Sequence, residues 1–337
     1  MENVSISIDG GHSMFKVRAA SLSSPEQRFS FQIPTVVMPA IALTNEQTRQ
    51  KAELETVELD GRKFFIGETA MRQGRSEVYT GQNSEWIESP QHDALVLGAW
   101  RKVMHSFGTR PARVHLVMGL PAKFVGAQRE ILRKRILALL TPRLLPGQTL
   151  RVMVQSQADA PLQWLSICRD GTVNPDRNLD NEAWGVIEIG HYTTDFALSD
   201  RGAMMEYAAV SCPGMHLVYD GMSSAMSQAK LPTSLDVVET AVRNGGIKLY
   251  GQRVDLSHLL AGAKAGFESV VMDEADRVFG QKAALLDGLI IGGGGADLLL
   301  SQLKERFPNA VSSDEPRMMV AEGFCRLGLL SLLQSQG

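Results

Sequence analysis

The sequence has little of the chemistry that marks several common protein classes. Its three cysteines, Cys168, Cys212 and Cys325, are widely spaced and form no C-x-x-C pair, which predicts reduced thiols in a cytosol and no disulfide framework. The seven histidines show no metal-site spacing. The net charge of −3 shows no basic excess, so composition gives no support for direct nucleic-acid binding.

Several familiar segments are also missing. No apolar run approaches the roughly 18 residues of a membrane-spanning helix, and the first ten residues, MENVSISIDG, lack the basic and apolar regions of a signal peptide. We therefore expect a cytoplasmic protein without membrane association. The sequence has no Walker motif and no G-x-S-x-G, so neither a P-loop nor a hydrolase elbow is indicated.

The composition is that of a globular protein, with 44% hydrophobic and 21% charged residues over 337 positions. Near the start, a strand with one buried face is predicted by the alternation of Val4, Ile6 and Ile8 with Ser5 and Ser7. A Gly10-Gly11 turn and a second apolar segment complete a hairpin. Apolar spacing predicts helices at His92–Phe107, capped by Gly108, and at Asp255–Phe279, with Asp255 as its N-cap.

An internal repeat indicates the architecture. Ile8–His12 reads IDGGH and Ile187–His191 reads IEIGH, each at the end of a predicted strand and before another strand. The polar stretch 169–182 is the best candidate for a boundary. We predict two related α/β lobes, 1–168 and 169–316, each with a mixed, mainly parallel sheet flanked by helices. A C-terminal helix at about 317–337 joins the first lobe.

The two turns contain glycine and small polar residues. Such turns present several backbone N–H groups to one point, where an anion can approach closely. The candidates for polyphosphate contact are Gly10, Gly11, His12, Ser13 and Lys16, and in the second turn Gly190, His191, Tyr192 and Thr193. The alternative is that both are ordinary tight hairpins and that the histidines are turn residues rather than catalytic bases.

An acid precedes each turn. Asp9 and Glu188 end apolar strands, at the edge where open α/β sheets bind ligands. Carboxylates beside a polyphosphate repel it unless a hard cation intervenes, and Mg²⁺ is the natural partner. The alternative is a pair of buried acids satisfied by backbone N–H groups.

A third segment is an apolar strand, four glycines and a helix start. Its glycines would let backbone pack against a planar base or an α-phosphate at the helix N-terminus. The candidate contacts are Gly292, Gly293, Gly294 and Asp297. Asp297 is equally favoured at a helix start simply as a cap.

In this order the segments resemble those of the actin, heat-shock chaperone and sugar-kinase ATPase superfamily, and within it the ParM/StbA type of plasmid-segregation actin and its archaeal relatives. In this chain, Ile8–Lys16 resembles the family's first phosphate motif. Ile187–Phe196 resembles the second phosphate motif, and Gly288–Asp297 resembles the adenosine motif. Segments typical of that subgroup's first lobe are Phe31–Thr35, Phe65–Ala70 and Leu116–Pro121. The likeness spans nearly the whole chain.

The resemblance implies an actin-like fold that binds and hydrolyses Mg-ATP between its lobes and assembles into filaments, with a DNA-binding adaptor as a further partner. It implies that Asp9 holds Mg²⁺ through water and that Gln157 positions the attacking water. Glu188, where the family usually has Asp, keeps the charge but moves the carboxylate by about one methylene, which can slow hydrolysis.

Two other functions remain open. A small-molecule kinase of the same superfold would need a general base beside an acceptor hydroxyl, and Asp195 is the candidate. A non-polymerising ATP-binding adaptor is the other, with the segment Gly323–Leu333 as an amphipathic anchor. The alternative for that segment is packing onto the first lobe.

Overall fold

The computed structural model describes residues 2–74, 79–80, 85–107 and 111–335. The chain forms two compact units. One runs to Arg177 and is joined again by the segment from Met318 on, and the other is Asn178–Arg317. The first unit is therefore made from two pieces of chain that flank the second in sequence. Gly108, predicted to cap a helix, lies outside the described residues.

Helices and strands are mixed in both units. Up to Arg177 the elements are β1 (Asn3–Gly10), β2 (Met14–Ser21), β3 (Ser24–Pro34), β4 (Val36–Pro39), α1 (Glu46–Ala52), β5 (Thr56–Leu59), β6 (Arg62–Ile66), α2 (Gly67–Gln73), β7 (Tyr79–Thr80), α3 (Pro90–Ser106), β8 (Arg113–Leu120), α4 (Ala122–Leu140), β9 (Thr149–Ser156) and α5 (Ala160–Ser166). The second unit contains β10 (Ala183–Ile189), β11 (Thr193–Asp200), β12 (Ala203–Met204), β13 (Val210–Pro213), α6 (His216–Gln228), α7 (Leu235–Asn244), β14 (Gly246–Leu249), β15 (Gln252–Asp255), α8 (Ser257–Phe279), β16 (Gly288–Gly292), α9 (Ala296–Arg306) and β17 (Ala310–Val311). The last helix, α10 (Met319–Gln334), belongs to the first unit.

The main sheet of the first unit has the order β3-β2-β1-β8-β9. β1 pairs antiparallel with β2 and parallel with β8, which pairs parallel with β9. Apolar side chains of α3 and α4, such as Leu95 and Leu132, join Ile6 and Ile8 in the main core. Because β1, β8 and β9 run in one direction, their carboxyl ends meet at one edge of the sheet.

Both faces of β1 are buried, so the expectation of one buried face is wrong. Ser5 and Ser7 are completely inaccessible to solvent. Their hydroxyls donate to the carbonyl oxygens of Cys325 (2.8 Å) and Ala321 (2.6 Å) on α10. A hydroxyl whose hydrogen bond is made to a helix carbonyl can be buried, so alternating serines do not mark a solvent face here.

The C-terminal segment packs onto the first unit. On α10, Phe324 and Leu329 are fully buried, and the helix contacts β1, β2, β8 and α5. This is the packing alternative for Gly323–Leu333, in which Phe324 is buried while Leu327, Leu330 and Leu333 are partly buried. Among the described residues, no helix has the length and apolar character needed to cross a membrane.

One buried carboxylate ties α10 to the sheet. Glu322 is 5% exposed and accepts hydrogen bonds from Arg18 (2.9 Å), Arg28 (3.0 Å) and Arg326 (2.8 Å). Burial alone would raise the pKa of Glu322, but hydrogen bonds from Arg28 and Arg326, and their charges, lower that pKa to about 2. The group is therefore an anion at all ordinary pH values.

The second unit repeats the topology of the first. Its sheet has the order β12-β11-β10-β16-β17, with β13 also paired to β11. β10 pairs antiparallel with β11 and parallel with β16, which pairs parallel with β17. The four strands β2-β1-β8-β9 thus correspond to β11-β10-β16-β17, and the α/β class with two related sheets is confirmed.

The start of α8 corrects one prediction. The helix begins at Ser257, and Asp255 ends the strand β15 instead of capping the helix. Its carboxylate still accepts the N–H of Ser257 (3.0 Å), which explains why it resembles a cap in sequence. The β14–β15 hairpin was not predicted, because strands of four residues show too little alternation.

Candidate functional site

The first Gly-rich turn joins β1 to β2, and the residue after β3, Thr35, is hydrogen-bonded to it. Gly11 has no room for a side chain, since a Cβ would lie 2.9 Å from the carbonyl oxygen of Met14. Thr35, directly after β3, donates its hydroxyl to Gly11 O (2.7 Å) and its N–H to Ser13 O (3.0 Å). Both carbonyls are thereby fixed. Thr35 lies in a segment that the sequence singled out, but its role in holding the turn was not predicted.

The structure brings together three of the predicted residues beside this turn. Asp9 is 3% exposed. Its Oδ2 accepts from Lys16 Nζ at 3.0 Å, and its Oδ1 accepts from Gln157 Nε2 at 2.7 Å. Lys16 is directly opposite Asp9 in the β1–β2 register. Gln157 directly follows β9, so the parallel strands deliver it to the same edge.

In the second unit, the turn between β10 and β11 is hydrogen-bonded to the residues at the start of α6. The N–H groups of Gly214, Met215 and His216 donate to the carbonyl oxygens of Tyr192 (2.9 Å), Gly190 (3.0 Å) and His191 (2.7 Å). The turn carbonyls therefore point toward this segment.

That orientation has a consequence for the turn amides. In a trans peptide the C=O and N–H point in opposite directions, and the chain has no cis peptide among the described residues. The N–H groups of His191 and Tyr192 therefore point away from α6. Neighbouring amides directed to one side form an anion-binding concavity. Gly190 closes the hairpin by donating to Thr193 O (2.8 Å).

The environment of His191 favours a neutral ring. Burial, and then the charge of His216, lower the pKa of His191. Its ring also makes edge or tilted contacts with Tyr192 (4.6 Å between centroids) and Tyr219 (5.2 Å). The neutral form of the ring is therefore favoured, and the backbone N–H groups of this turn are its candidate donors to a phosphate.

The acids of the two hairpins differ in what faces them. Asp9 faces Lys16, whereas Glu188 faces Asp195 in the β10–β11 register. Asp195 accepts from the hydroxyls of Thr193 (2.9 Å) and Ser211. Like charges at opposed positions destabilise a strand pair unless other groups compensate them.

The third segment, after β16, divides its glycines between two tasks. A Cβ on Gly293, which has φ +94°, would lie 2.4 Å from Ile189 O, and one on Gly295 would lie 2.5 Å from Ile189 Cγ2. These two glycines let the segment pack against the end of β10. Gly294 is open, with Arg317 Nε as its nearest neighbour at 3.8 Å. Of the predicted contacts, Gly294 is thus the best placed for a ligand.

The remaining predicted residues lie close to these positions. Gly292 is buried at the end of β16 opposite Glu188. Asp297 is exposed in the first turn of α9, and His12 and Ser13 lie between β1 and β2, the former half-buried and the latter exposed. Arg317 was not predicted, because one arginine in a polar stretch gives no pattern. Its charge, with those of Glu239 and Arg243, acts on Tyr219, whose pKa is raised mainly by burial.

The predicted magnesium ligands belong to different units, Asp9 near the end of β1 and Glu188 near the end of β10. No group of three or more His, Cys, Asp or Glu side chains within the described residues can enclose a metal. Mg²⁺ commonly keeps several waters and is held by one or two carboxylates together with substrate phosphates. Asp9 and Glu188 are hard oxygen donors of that kind.

Comparison with known proteins gives consistent results along the chain. Residues 7–157 match a family model described as the N-terminal domain of actin-like proteins, and residues 186–305 match one described as the C-terminal part of the archaeal MreB-like actin homologue. A comparison with curated proteins found no match.

Solved structures share the fold at low identity. A ParM filament from Clostridium botulinum aligns with a TM-score of 0.71 at 18% identity, covering 97% of this chain and 99% of that one. The archaeal actin homologue Ta0583 aligns at 0.70 and 15%, covering 96% and 98%. Bacillus thuringiensis ParM with AMPPNP aligns at 0.66 and 14%, covering 98% and 99%.

Proposed function

We propose that this chain, which belongs to the actin-like proteins, is a cytoplasmic, nucleotide-dependent polymerising protein that binds and hydrolyses Mg-ATP with phosphate-binding turns from both units. The contacts of Asp9 with Lys16 and Gln157 carry the proposal. They place an acid, a cation and a neutral amide beside a turn that has no room for a side chain at Gly11.

Each part of the nucleotide has candidate contacts. The γ- and β-phosphates fit the turn at Gly11 and the directed amides of His191 and Tyr192. Lys16 supplies a point charge for a phosphate oxygen. The adenosine fits the open side of Gly294, where Arg317 adds a cation that sequence reasoning missed.

Bound Mg²⁺, with Asp9 and Glu188 as its protein partners through water, would neutralise phosphate charge. Gln157 is neutral and can both donate and accept hydrogen bonds, as orienting a water requires. Glu188 is the candidate to accept a proton from that water.

Assembly is the less direct part of the proposal. Its support is the family and the fold, which is shared with a protein solved as a filament. A filament requires a heterologous, non-closing contact between copies. We propose a DNA-binding adaptor as a further partner, in keeping with the plasmid-segregation actins that the motifs resemble.

Sedimentation of the purified protein with ATP, with ADP and without nucleotide tests the proposal. We expect pelleting with Mg-ATP and little without nucleotide. ATP binding is measured on the same preparation by calorimetry. If the protein binds ATP but does not pellet at tens of micromolar protein, roughly the range where weak specific contacts form, it is a non-polymerising nucleotide-binding protein. Absence of both would remove the proposal.

A further inference from the structure

The first Gly-rich turn is packed against an aromatic ring that comes from the opposite strand. Gly10 faces Phe15 in the β1–β2 register. A Cβ on Gly10 would lie 3.5–4.0 Å from three atoms of the Phe15 ring, and these are the nearest atoms beyond the adjacent residues. Phe15 itself is completely buried. The ring therefore covers the backbone of Gly10, as an aromatic residue can do for a glycine on a neighbouring strand.

Two further rings contact Phe15. The centroids of Trp86 and His92 lie 6.4 Å and 5.6 Å from that of Phe15, both in edge contacts, and the two rings contact each other at 5.6 Å. Aromatic pairs favour this geometry. Trp86 and His92 are also buried. Burial lowers the pKa of His92, which favours its neutral ring, so Phe15 is enclosed by rings without charge.

This cluster of Phe15, Trp86 and His92 is fixed to the start of α3. The hydroxyl of Ser89, the N-cap residue of α3, donates to the carbonyl oxygen of Trp86 (2.8 Å) and accepts from the N–H of His92 (3.1 Å). Further along α3, Leu95 and its apolar neighbours belong to the main core of the unit. The position of the Phe15 ring is therefore set by the core and not by the turn.

The second turn is constructed differently at the same place. The pair that corresponds to Gly10 and Phe15 is Ile189 and Thr194 in the β10–β11 register. There the strand before the turn carries its own large apolar side chain, and both residues are completely buried. In the first hairpin the large side chain comes from the strand after the turn. Lys16 directly follows it, so an anchored ring also fixes the backbone from which Lys16 reaches Asp9.

We propose that Phe15 is a positioning residue for phosphate binding, and that its ring holds the backbone of Gly10, Gly11 and Lys16 where a phosphate meets them. The inference rests on the proposed nucleotide binding and adds to that site a residue that acts from beneath it. Phe15 has no exposed surface, so it acts without touching the nucleotide. A turn that binds through backbone N–H groups depends on their placement, and misplacement by about 1 Å can cost on the order of a hundredfold in rate.

The substitution Phe15→Leu tests the proposal, because leucine is apolar but lacks the outer ring atoms that face Gly10. We expect the affinity for Mg-ATP, measured by calorimetry, to fall by about tenfold, an effect typical of losing the support behind a binding group. The affinity for adenosine, which has no phosphate, should be unchanged by ligand-observed NMR. Without nucleotide, the N–H of Thr35, which donates to Ser13 O in the turn, should exchange its hydrogen faster. A residue needed only for stability would leave the ratio of the two affinities unchanged in the folded protein.

Two variants serve as control and rescue. Phe107 packs against the same core at the other end of α3, so Phe107→Leu should leave both affinities and the exchange of Thr35 as in the wild type. Gly10 has no positive φ, so alanine fits its backbone. Adding Gly10→Ala to Phe15→Leu places a methyl group in part of the space of the lost ring and should restore part of the affinity for Mg-ATP.

The outcomes separate this inference from the proposed function. If Phe15→Leu binds Mg-ATP as the wild type does, or weakens binding of Mg-ATP and adenosine equally, Phe15 is not a positioning residue, whereas nucleotide binding stands. If the wild type binds neither ligand, the proposed function fails and the inference fails with it. If Phe15→Leu does not fold, Phe15→Met replaces it in the same measurements, since methionine is flexible and fills irregular space in a core.

Discussion

The substitution Glu322→Gln probes the buried network that holds α10 on the sheet of the first unit. The carboxylate accepts from Arg18 on β2, Arg28 on β3 and Arg326 on α10. A glutamine of the same size removes the charge and leaves three buried guanidinium groups without their anion. Removing one partner from a buried ionic network is more costly than replacing the whole network.

The magnitude follows from the pKa. The pKa of Glu322 falls from 4.5 to about 2 in the folded chain. This shift means that folding favours the charged form over the neutral form by about 3 kcal/mol. We therefore expect Glu322→Gln to lower the free energy of unfolding of the first unit by about 3–5 kcal/mol at pH 7. Because the folded pKa is depressed, this stabilisation is fully present above about pH 4.5 and is lost as the pH falls toward 2.

Amide hydrogen exchange of α10 is the appropriate assay, because it reports opening of that helix even if the two units unfold separately. The difference between variant and wild type should be large at pH 7 and should shrink between pH 4.5 and 2, with intrinsic exchange rates corrected for pH. Glu130→Gln, which removes an exposed ion pair with Arg133, is the control and should have little effect. A variant that protects α10 as well as the wild type does at pH 7, or a difference that is independent of pH, would refute the reasoning.

Three further outcomes are expected at the candidate site. Asp9→Ala should weaken the Mg²⁺-dependent part of ATP binding by about 10- to 100-fold, measured by titration with and without Mg²⁺; equal affinity under both conditions in the wild type would contradict the role of Asp9. Glu188→Ala should slow ATP hydrolysis by about two orders of magnitude while the affinity for ATP is largely kept. Hydrolysis at the wild-type rate would exclude Glu188 from the chemistry. Glu188→Asp shows whether the longer side chain of the native glutamate slows the reaction. Gly293→Ala should destabilise the second unit by about 1–3 kcal/mol, because the φ of Gly293 is positive and a Cβ there would meet Ile189 O. Gly294→Ala should instead cost little stability and lower nucleotide affinity. Equal losses of stability in the two variants would contradict this division.

The sequence predicts the repeated hairpins well because both signals are local. The alternation up to Ile8, the apolar run up to Ile189 and the glycine turn after each depend only on neighbours along the chain. The acids then come to the sheet edge because strands that run parallel end there. The fold class follows from this without knowledge of packing, whereas Gln157 was singled out only by the resemblance to the actin-like ATPases.

Other features depend on distant contacts and could not be predicted from the sequence. Ser5 and Ser7 look exposed, but a helix more than 300 positions later covers them. Thr35 and Arg317 are single residues without a pattern, and their neighbours become known only through the fold. The separate tasks of Gly293 and Gly294 depend on where Ile189 lies, which a run of four glycines does not reveal.

The two-piece construction of the first unit bears on how the chain is made. Serine hydroxyls on β1 donate to carbonyl oxygens of α10, so the unit begun first during translation cannot complete its packing until α10 has left the ribosome. The second unit, an uninterrupted stretch of chain, has all its partners earlier, and domains fold as units during synthesis. A nascent chain therefore carries a folded second unit beside an unfinished first one. For the nucleotide-dependent assembly proposed above, this order of events means that a chain still lacking α10 has only one of its two units fully packed.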